Sequence, residues 1–115
     1  MQTQRLVLPA DLNQYGHLFG GRLLAWIDEA SWIAASLEFP NCRFVTVAMR
    51  EVFFRHSVRD GTILTIESLL QRRGNTSVTY AVQVRDTRSP LAEPIFVTDV
   101  TFVNLDEHGI KKTIS

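Results

Sequence analysis

The sequence is poor in cysteine, in charge of one sign and in long apolar runs, and each scarcity excludes a class of protein. A single cysteine, Cys42, cannot form an internal disulfide, and free cysteines are more often buried packing residues than nucleophiles. Lysine and arginine together number 12, as do aspartate and glutamate. This balance leaves no broad positive field that would draw the chain to nucleic acid or to an anionic membrane.

Signals for targeting and for metal binding are also missing. No stretch approaches the roughly 20 apolar residues that span a bilayer, and residues 1–10 lack the apolar core of a signal peptide. The sequence therefore predicts a soluble, cytoplasmic protein. The three histidines, His17, His56 and His108, are far apart and lack the paired spacing of metal ligands, so no metal site is expected.

What is present is sufficient for one folded domain. The chain has 115 residues, of which 45% are hydrophobic, and this allows one core without disulfides or metal. No linker, internal repeat or low-complexity segment divides it. We expect residues 1–115 to form a single domain.

Residue patterns predict one helix and an antiparallel sheet. Residues 20–38 are rich in helix formers and contain no proline, and no glycine follows Gly21. From Val78 to Arg85, apolar and polar side chains alternate with the two-residue repeat of a half-buried strand. Further strands are expected at residues 3–8, 44–54, 62–71 and 94–104, joined by hairpin-type breaks.

The predicted helix is apolar around most of its circumference. At about 100° per residue, Arg22, Glu29 and Ser36 share one narrow stripe, and the large aliphatic side chains lie well away from it. With no second helix to cover these side chains, the sheet must curve around the first. The predicted fold class is therefore α+β, a curved antiparallel β-sheet wrapped around one long central α-helix, which is the hot-dog fold.

Two features of this helix suggest chemistry. Asp28 lies about 100° from the polar stripe, among largely apolar neighbours, where a carboxylate is either a functional group or the acceptor of an internal hydrogen bond. Gly20 and Gly21 stand at the start of the helix, where bare backbone and free N–H groups can stabilise an oxyanion. The alternative is that the glycines only permit a tight turn or close packing.

The segment around these residues is similar to the sequence motif of a known protein family. Residues 13–21 read N-x-x-G-x-x-F-G-G and continue as L-L-x-W-I-D-E over residues 23–29. Further similar segments follow in the same order at Val45-Thr46-Val47-Ala48, Phe54, Gly74-x-x-Ser77, Val97-Thr98-Asp99 and Thr101-Phe102-Val103. The chain thus resembles hot-dog acyl-CoA thioesterases of the YciA and cytosolic acyl-CoA hydrolase type over nearly all its length.

The resemblance implies a role for each matching residue. Asp28 matches the catalytic carboxylate, acting as general base or as nucleophile, and Asn13 matches the asparagine that holds the thioester or the water. Gly20 and Gly21 match the oxyanion-binding start of the helix. In the family, Asp28 and Asn13 would come from opposite protomers, which implies a homodimer, and family analogy alone extends this to a trimer of dimers.

Coenzyme A would be part of the substrate, and no separate cofactor is expected. Its phosphates call for basic and hydroxyl side chains near the Gly74 turn and the end of the chain. The candidates are Arg72, Arg73, Thr76, Ser77, Lys111 and Lys112. Two other functions remain open at this point: a non-catalytic acyl-CoA binding module, and a hot-dog hydratase or dehydratase, which would favour a catalytic histidine.

Overall fold

The computed structural model describes residues 1–90 and 92–115, which form one α-helix, a short 3-10 helix at Pro9–Asp11 and five strands. The elements are β1 (Gln2–Leu6), α1 (Gly20–Glu38), β2 (Phe44–Arg50), β3 (Ile63–Arg73), β4 (Ser77–Asp86) and β5 (Phe96–Asn104). The strands form one sheet in the order β1-β3-β4-β5-β2, and all four neighbouring pairs are antiparallel.

The sheet places its apolar face on the helix. Val78, Tyr80, Val82 and Val84 alternate along β4 and are fully or almost fully buried. They belong to the same core as the buried positions of α1, which recur at helical spacing from Leu23 to Ala35. The inward face of β4 and the buried stripe of α1 thus pack together into a single hydrophobic core.

The helix begins where the glycines begin and ends where it was predicted to end. Phe19 precedes it in an extended conformation and makes no side-chain capping hydrogen bond. The predicted range of residues 20–38 is confirmed. The prediction of a hot-dog fold is confirmed as well, since one long helix packs against a five-stranded antiparallel sheet.

In one chain the sheet leaves a stripe of the helix exposed. Ala25, Trp32 and Leu37 are exposed, and they lie on or beside the stripe that contains Arg22 and Glu29. These apolar side chains are partly open to solvent in one chain.

The predicted strand 44–54 is too long. Its apolar residues continue past Arg50, but Glu51 has a φ of 50°, a left-handed conformation that turns the chain out of the sheet. The Thr98 hydroxyl donates to the Arg50 carbonyl at 2.5 Å and holds this end of β2. A local run of β-formers does not reveal such a turn.

The other strands differ at their ends. β1 is Gln2–Leu6 rather than 3–8, because the Leu8 N–H donates to an Asp11 carboxylate oxygen at 2.9 Å and starts the 3-10 turn. β3 begins one residue later and ends two residues later than predicted, β4 is one residue longer at each end, and β5 begins at Phe96 rather than 94.

Candidate active site

Asp28 lies on the side of α1 that meets the edge strand β2. Its Oδ1 accepts a hydrogen bond of 2.6 Å from the Thr46 hydroxyl. Phe44, two residues before Thr46, is buried in the core, so strand alternation turns Thr46 toward the helix as well. The pair joins the middle of the helix to the edge of the sheet.

The Asp28 carboxylate is held at one oxygen and free at the other. The residue is half-buried, and Thr46 supplies the one side-chain hydrogen bond that it receives from the described residues. Among those residues no lysine, arginine or histidine forms an ion pair with it. An oriented carboxylate with an unengaged oxygen can accept a proton or attack a carbonyl carbon.

The start of α1 offers unpaired backbone donors. The N–H groups of Arg22 and Leu23 donate to the Phe19 carbonyl at 3.0 and 3.2 Å. The N–H groups of Gly20 and Gly21 have no acceptor in the described part of the chain. Free donors at the positive end of a helix dipole favour a developing oxyanion.

Both glycines have an aromatic ring close by. A Cβ on Gly20 would lie 2.9 Å from the ring of Phe54, and a Cβ on Gly21 would lie 2.8 Å from the ring of Phe19. Real Cβ atoms do not approach other atoms so closely. Two aromatic rings therefore occupy the space that side chains at these positions would need.

Asn13 organises the loop before the helix. Its Oδ1 accepts the N–H groups of Tyr15 at 2.9 Å and His17 at 3.1 Å, while its own N–H donates to the His17 carbonyl at 2.7 Å. Gly16 makes this loop possible with a φ of 80°. The Asn13 side-chain NH₂ makes no hydrogen bond to the described residues and remains available as a donor.

The structure brings Asn13 and Gly20 together but not Asp28. Asn13 and Gly20 line one cleft of about 450 Å³, whose wall also includes His17, Leu23 and Phe54. Asp28 is absent from that wall. It follows Gly21 by seven residues, roughly 10 Å along the helix axis.

The six residues predicted to bind coenzyme A do not line one cleft. Arg72 lines a cleft of about 370 Å³ on the outer face of the sheet, with Arg50, Thr79 and Asp99. Lys111 and Lys112 line another cleft, of about 520 Å³, near the end of the chain. Their roles stay predictions.

The other three candidates have structural contacts. The Arg73 guanidinium donates to the Ile114 carbonyl at 3.3 Å and lies 5.3 Å from the ring centroid of Phe39. The Thr76 carbonyl accepts the Asn104 N–H at 2.8 Å, and the Ser77 carbonyl accepts the Gly74 N–H at 2.7 Å. Each of these residues thus helps to shape the turn or to anchor the end of the chain.

One pKa shift lies beside the two lysines. The pKa of Asp106 is lowered, first by the hydrogen bond from the Ile110 N–H and then by that from the His108 N–H, with the charges of Lys112 and Arg43 adding to the effect. This carboxylate gives the lysine cleft a fixed negative charge. The wall of this cleft has three basic side chains, Arg43, Lys111 and Lys112, and two carboxylates, Asp106 and Glu107. Its basic groups therefore outnumber its acidic ones.

Two residues of this site, Thr46 and Phe54, are notable in the sequence only as members of segments similar to the family. The position of Thr46 two residues after Phe44 is the one local signal for its orientation. Phe54 is a single similar residue to which the resemblance attaches no role. No local pattern indicates that its ring lies on Gly20, since the two residues are far apart in the chain.

Two features are absent from the described residues. No helix there is both long enough and apolar enough to cross a membrane. No group of three histidine, cysteine, aspartate or glutamate side chains there is placed to hold a metal ion.

Comparison with known sequences places the chain in a family. The thioesterase superfamily model matches residues 15–93. An uncharacterized acyl-CoA thioester hydrolase of Buchnera aphidicola is 33% identical over 119 residues, which cover 99% of this chain and 87% of that protein. Acyl-coenzyme A thioesterase 11 of mouse is also 33% identical, but the match covers 73% of this chain and only 14% of the longer mouse protein.

Solved structures agree in fold. A hexameric thioesterase of Yersinia pestis has a TM-score of 0.87 at 26% identity, covering 98% of this chain and 93% of that one. An acyl-CoA hydrolase of Staphylococcus aureus, solved with butyryl coenzyme A and coenzyme A, has a TM-score of 0.88 at 30% identity, covering 99% and 70%. Variants of the staphylococcal enzyme with an asparagine, a threonine or an aspartate replaced by alanine have also been solved.

The chain belongs to the thioesterase superfamily and has the hot-dog fold. Within that class its relatives are acyl-CoA thioester hydrolases, including the YciA proteins of Salmonella. The predicted enzyme class, an acyl-CoA thioesterase, is confirmed at this level.

Proposed function

We propose that this enzyme hydrolyses acyl-CoA thioesters to free coenzyme A and a carboxylic acid, with Asp28 as the catalytic carboxylate. The observation that carries the proposal is the hydrogen bonding of the Asp28 carboxylate. One oxygen accepts a hydrogen bond of 2.6 Å from the Thr46 hydroxyl, and the other oxygen has no hydrogen bond from the described residues. In this arrangement Thr46 is a positioning residue. It fixes the rotamer of the carboxylate and leaves the reactive oxygen free.

The N–H groups of Gly20 and Gly21 would stabilise the tetrahedral oxyanion. They lack acceptors in the described part of the chain, and they lie at the positive end of the helix. The free NH₂ of Asn13 opens into the same cleft as Gly20, so it can hold the thioester carbonyl or the attacking water. No cofactor enters this scheme, since coenzyme A is part of the substrate.

The complete site would form between two protomers. In one chain Asp28 does not share the cleft of Asn13 and Gly20, so a second copy must bring its own cleft to Asp28. The edge strand β2, which carries Thr46, exposes 42% of Val45 and 55% of Val47. Pairing two such edges would cover this apolar surface and place each Asp28 near Asn13 of the partner subunit.

The three kinds of residue altered in the staphylococcal enzyme match this scheme. That enzyme has been studied as asparagine, threonine and aspartate variants, and Asn13, Thr46 and Asp28 are the same three residue types here. The hexameric state of the Yersinia relative is compatible with a trimer of such dimers. As part of the same proposal, this protein assembles as a trimer of dimers and is located in the cytoplasm.

The phosphates of coenzyme A would bind to basic groups outside the reactive site. Arg72, Lys111 and Lys112 form no ion pair in the described part of the chain, so their charges are free for phosphate oxygens. Arg73, Thr76 and Ser77 would shape the neighbouring turn and add donors. Phosphate contacts of this kind change KM more than kcat, because they form equally in the ground and transition states.

The proposal is tested by thiol release from acyl-CoA substrates of several chain lengths. The wild-type protein should release free coenzyme A, and the Asp28→Asn variant should lose at least about 100-fold in kcat/KM. Glu29→Gln is the matched control, because Glu29 is the next carboxylate on the same helix and points to Arg5 at the surface. It should keep wild-type activity.

Two outcomes would redirect the assignment. Tight acyl-CoA binding without thiol release would identify a binding module, and full activity in Asp28→Asn would exclude the carboxylate mechanism. A single turnover in heavy-oxygen water tests the role of Asp28. Label in the Asp28 carboxyl group identifies a nucleophile whose anhydride is opened by water at the Asp28 carbonyl, whereas a general base, or an anhydride opened at the acyl carbonyl, delivers the label only to the product acid.

A further inference from the structure

Phe53 and Phe54 are neighbours in sequence but differ in their surroundings. The chain leaves the sheet at Glu51, whose φ is 50°, and then crosses to the start of α1. Phe54 reaches the helix, while Phe53 remains 64% exposed. The turn at Glu51 thus directs the apolar residues that follow β2 away from the sheet edge and toward the proposed reactive site.

The Phe54 ring lies directly against the first residue of the helix. Its Cζ is 2.9 Å from the position of a Cβ on Gly20. On its other side the ring packs against Phe96 of β5, with ring centroids 5.3 Å apart. Two contacts on separate elements fix the ring beside the unpaired Gly20 N–H.

Half of this ring still faces open space. Phe54 is 52% exposed although it is packed on two elements, and its open side lines the cleft of about 450 Å³ that contains Asn13 and Gly20. Leu18 and Leu23 line the same cleft. An apolar wall beside a polar reaction site is the usual form of a pocket for the apolar part of a ligand.

We propose that Phe54 is a specificity-determining residue, which forms the wall that limits the length of the acyl chain. This inference rests on the proposed function, because it needs the thioester carbonyl at the N–H groups of Gly20 and Gly21. The Phe54 ring lies next to that position, so in this cleft, which Leu18 also lines, it limits the space open to the acyl chain. A smaller side chain at this position lengthens the apolar path without changing Asp28, Thr46 or Asn13.

The test compares acyl-chain profiles of Phe54→Ala and Phe53→Ala with that of the wild-type protein. For Phe54→Ala, the ratio of kcat/KM for octanoyl-CoA to that for butyryl-CoA should rise at least about tenfold, since each added methylene gains burial. Phe53→Ala is the matched control. It removes the same side chain from the adjacent position, and its ratio should stay within about twofold of wild type.

The alternative is that Phe54 only anchors its loop on Phe96. In that case Phe54→Ala lowers kcat/KM for both substrates by the same factor, and this result overturns the proposal. Phe54→Leu serves if the alanine variant does not fold, with a smaller rise in the ratio expected. If the wild-type protein releases no thiol from any acyl-CoA, the proposed function is overturned together with the role of Phe54. If the wild-type protein is active but Phe54→Ala leaves the ratio of the two kcat/KM values unchanged, only the role of Phe54 is overturned.

Discussion

The two ends of the single long helix are built in opposite ways. At its start, the N–H groups of Gly20 and Gly21 have no acceptor among the described residues, and the ring of Phe54 beside them is half-exposed. Two turns on, Asp28 has an unengaged oxygen. This end has free polar groups and open space, which are the conditions for ligand binding.

At its other end, the helix is tied to the sheet. The Trp32 indole N–H donates to the Phe44 carbonyl at 3.0 Å, and the buried Tyr80 hydroxyl donates to Glu38 at 2.5 Å. The Ser36 hydroxyl at this end is buried without a hydrogen-bond partner among the described residues and adds nothing to these contacts. These contacts stabilise the end of the helix that has no proposed role in the reaction.

The comparison shows how one helix can serve both stability and reactivity. Paired polar groups and filled space add to the free energy of unfolding, whereas unpaired donors and clefts do not. Substitutions at the start of α1 should therefore change activity with little loss of stability. Substitutions at its end should do the reverse.

The largest expected effect tests whether the reactive end is completed by a second chain. Asn13→Ala and Asp28→Asn should each lose at least about 100-fold in kcat/KM as homodimers. When the two variants are coexpressed, each mixed dimer contains one intact site of two, so isolated mixed dimers should have about half of the wild-type activity. The measurement is thiol release by mixed dimers isolated through two different tags. Recovery near zero would mean that both residues serve the same chain.

The next effect concerns the contact between Gly20 and Phe54. Gly20→Ala places a Cβ 2.9 Å from the ring, so either the ring or the helix start must shift. A shift of this size at a reactive site should lower kcat by about 100-fold, while the unfolding temperature changes little. Gly20→Ala combined with Phe54→Leu relieves the contact and should recover most of the rate. An unchanged rate in Gly20→Ala would show that the exact position of this backbone is unimportant.

A smaller effect is expected at the stabilising end. Tyr80→Phe removes the hydrogen bond to Glu38 but keeps the buried ring, so the free energy of unfolding should fall by about 1 kcal/mol. Urea unfolding at neutral pH measures this change. The activity per folded molecule should stay at the wild-type level. A large loss of activity would show that the two ends of the helix are coupled.

The same tyrosine predicts a pH dependence. Burial, followed by the hydrogen bond and the negative charge of Glu38, raises the pKa of Tyr80 above its ordinary value of 10.0. Folding therefore favours the protonated form. The stabilisation is complete below pH 10.0 and is lost as the pH rises further toward the folded-state pKa. Urea unfolding at rising alkaline pH should show a steeper loss for wild type than for Tyr80→Phe, and parallel curves would contradict the assignment.

The smallest effect is expected at the exposed face between the two ends. Arg5 and Glu29 approach to 3.4 Å, with side chains 43% and 64% exposed. Solvent and salt screen such pairs, so Glu29→Gln should change the free energy of unfolding by less than about 0.5 kcal/mol. Thermal unfolding at low and high salt checks this value. A larger, salt-dependent loss would show that β1 depends on this ion pair for its attachment to the helix.

The amino-acid sequence by itself determined the helix and the identities of the reactive groups. The range 20–38 follows from helix formers and from the lack of later glycine or proline, and the repeat in β4 follows from alternating side chains. Both are local signals, and they act within a few residues. The family resemblance at residues 13–29 predicted Asp28, Asn13 and the two glycines as candidates.

Only the tertiary structure decided which groups meet. Thr46 reaches Asp28 across 18 positions of the chain, and Phe54 reaches Gly20 because Glu51 turns the chain out of the sheet after β2. The separation of Asp28 from the cleft of Asn13 also appeared only in the folded chain. Such contacts depend on strand register and on the path of loops, which arise from packing over the whole core and leave no periodic trace in the residues themselves.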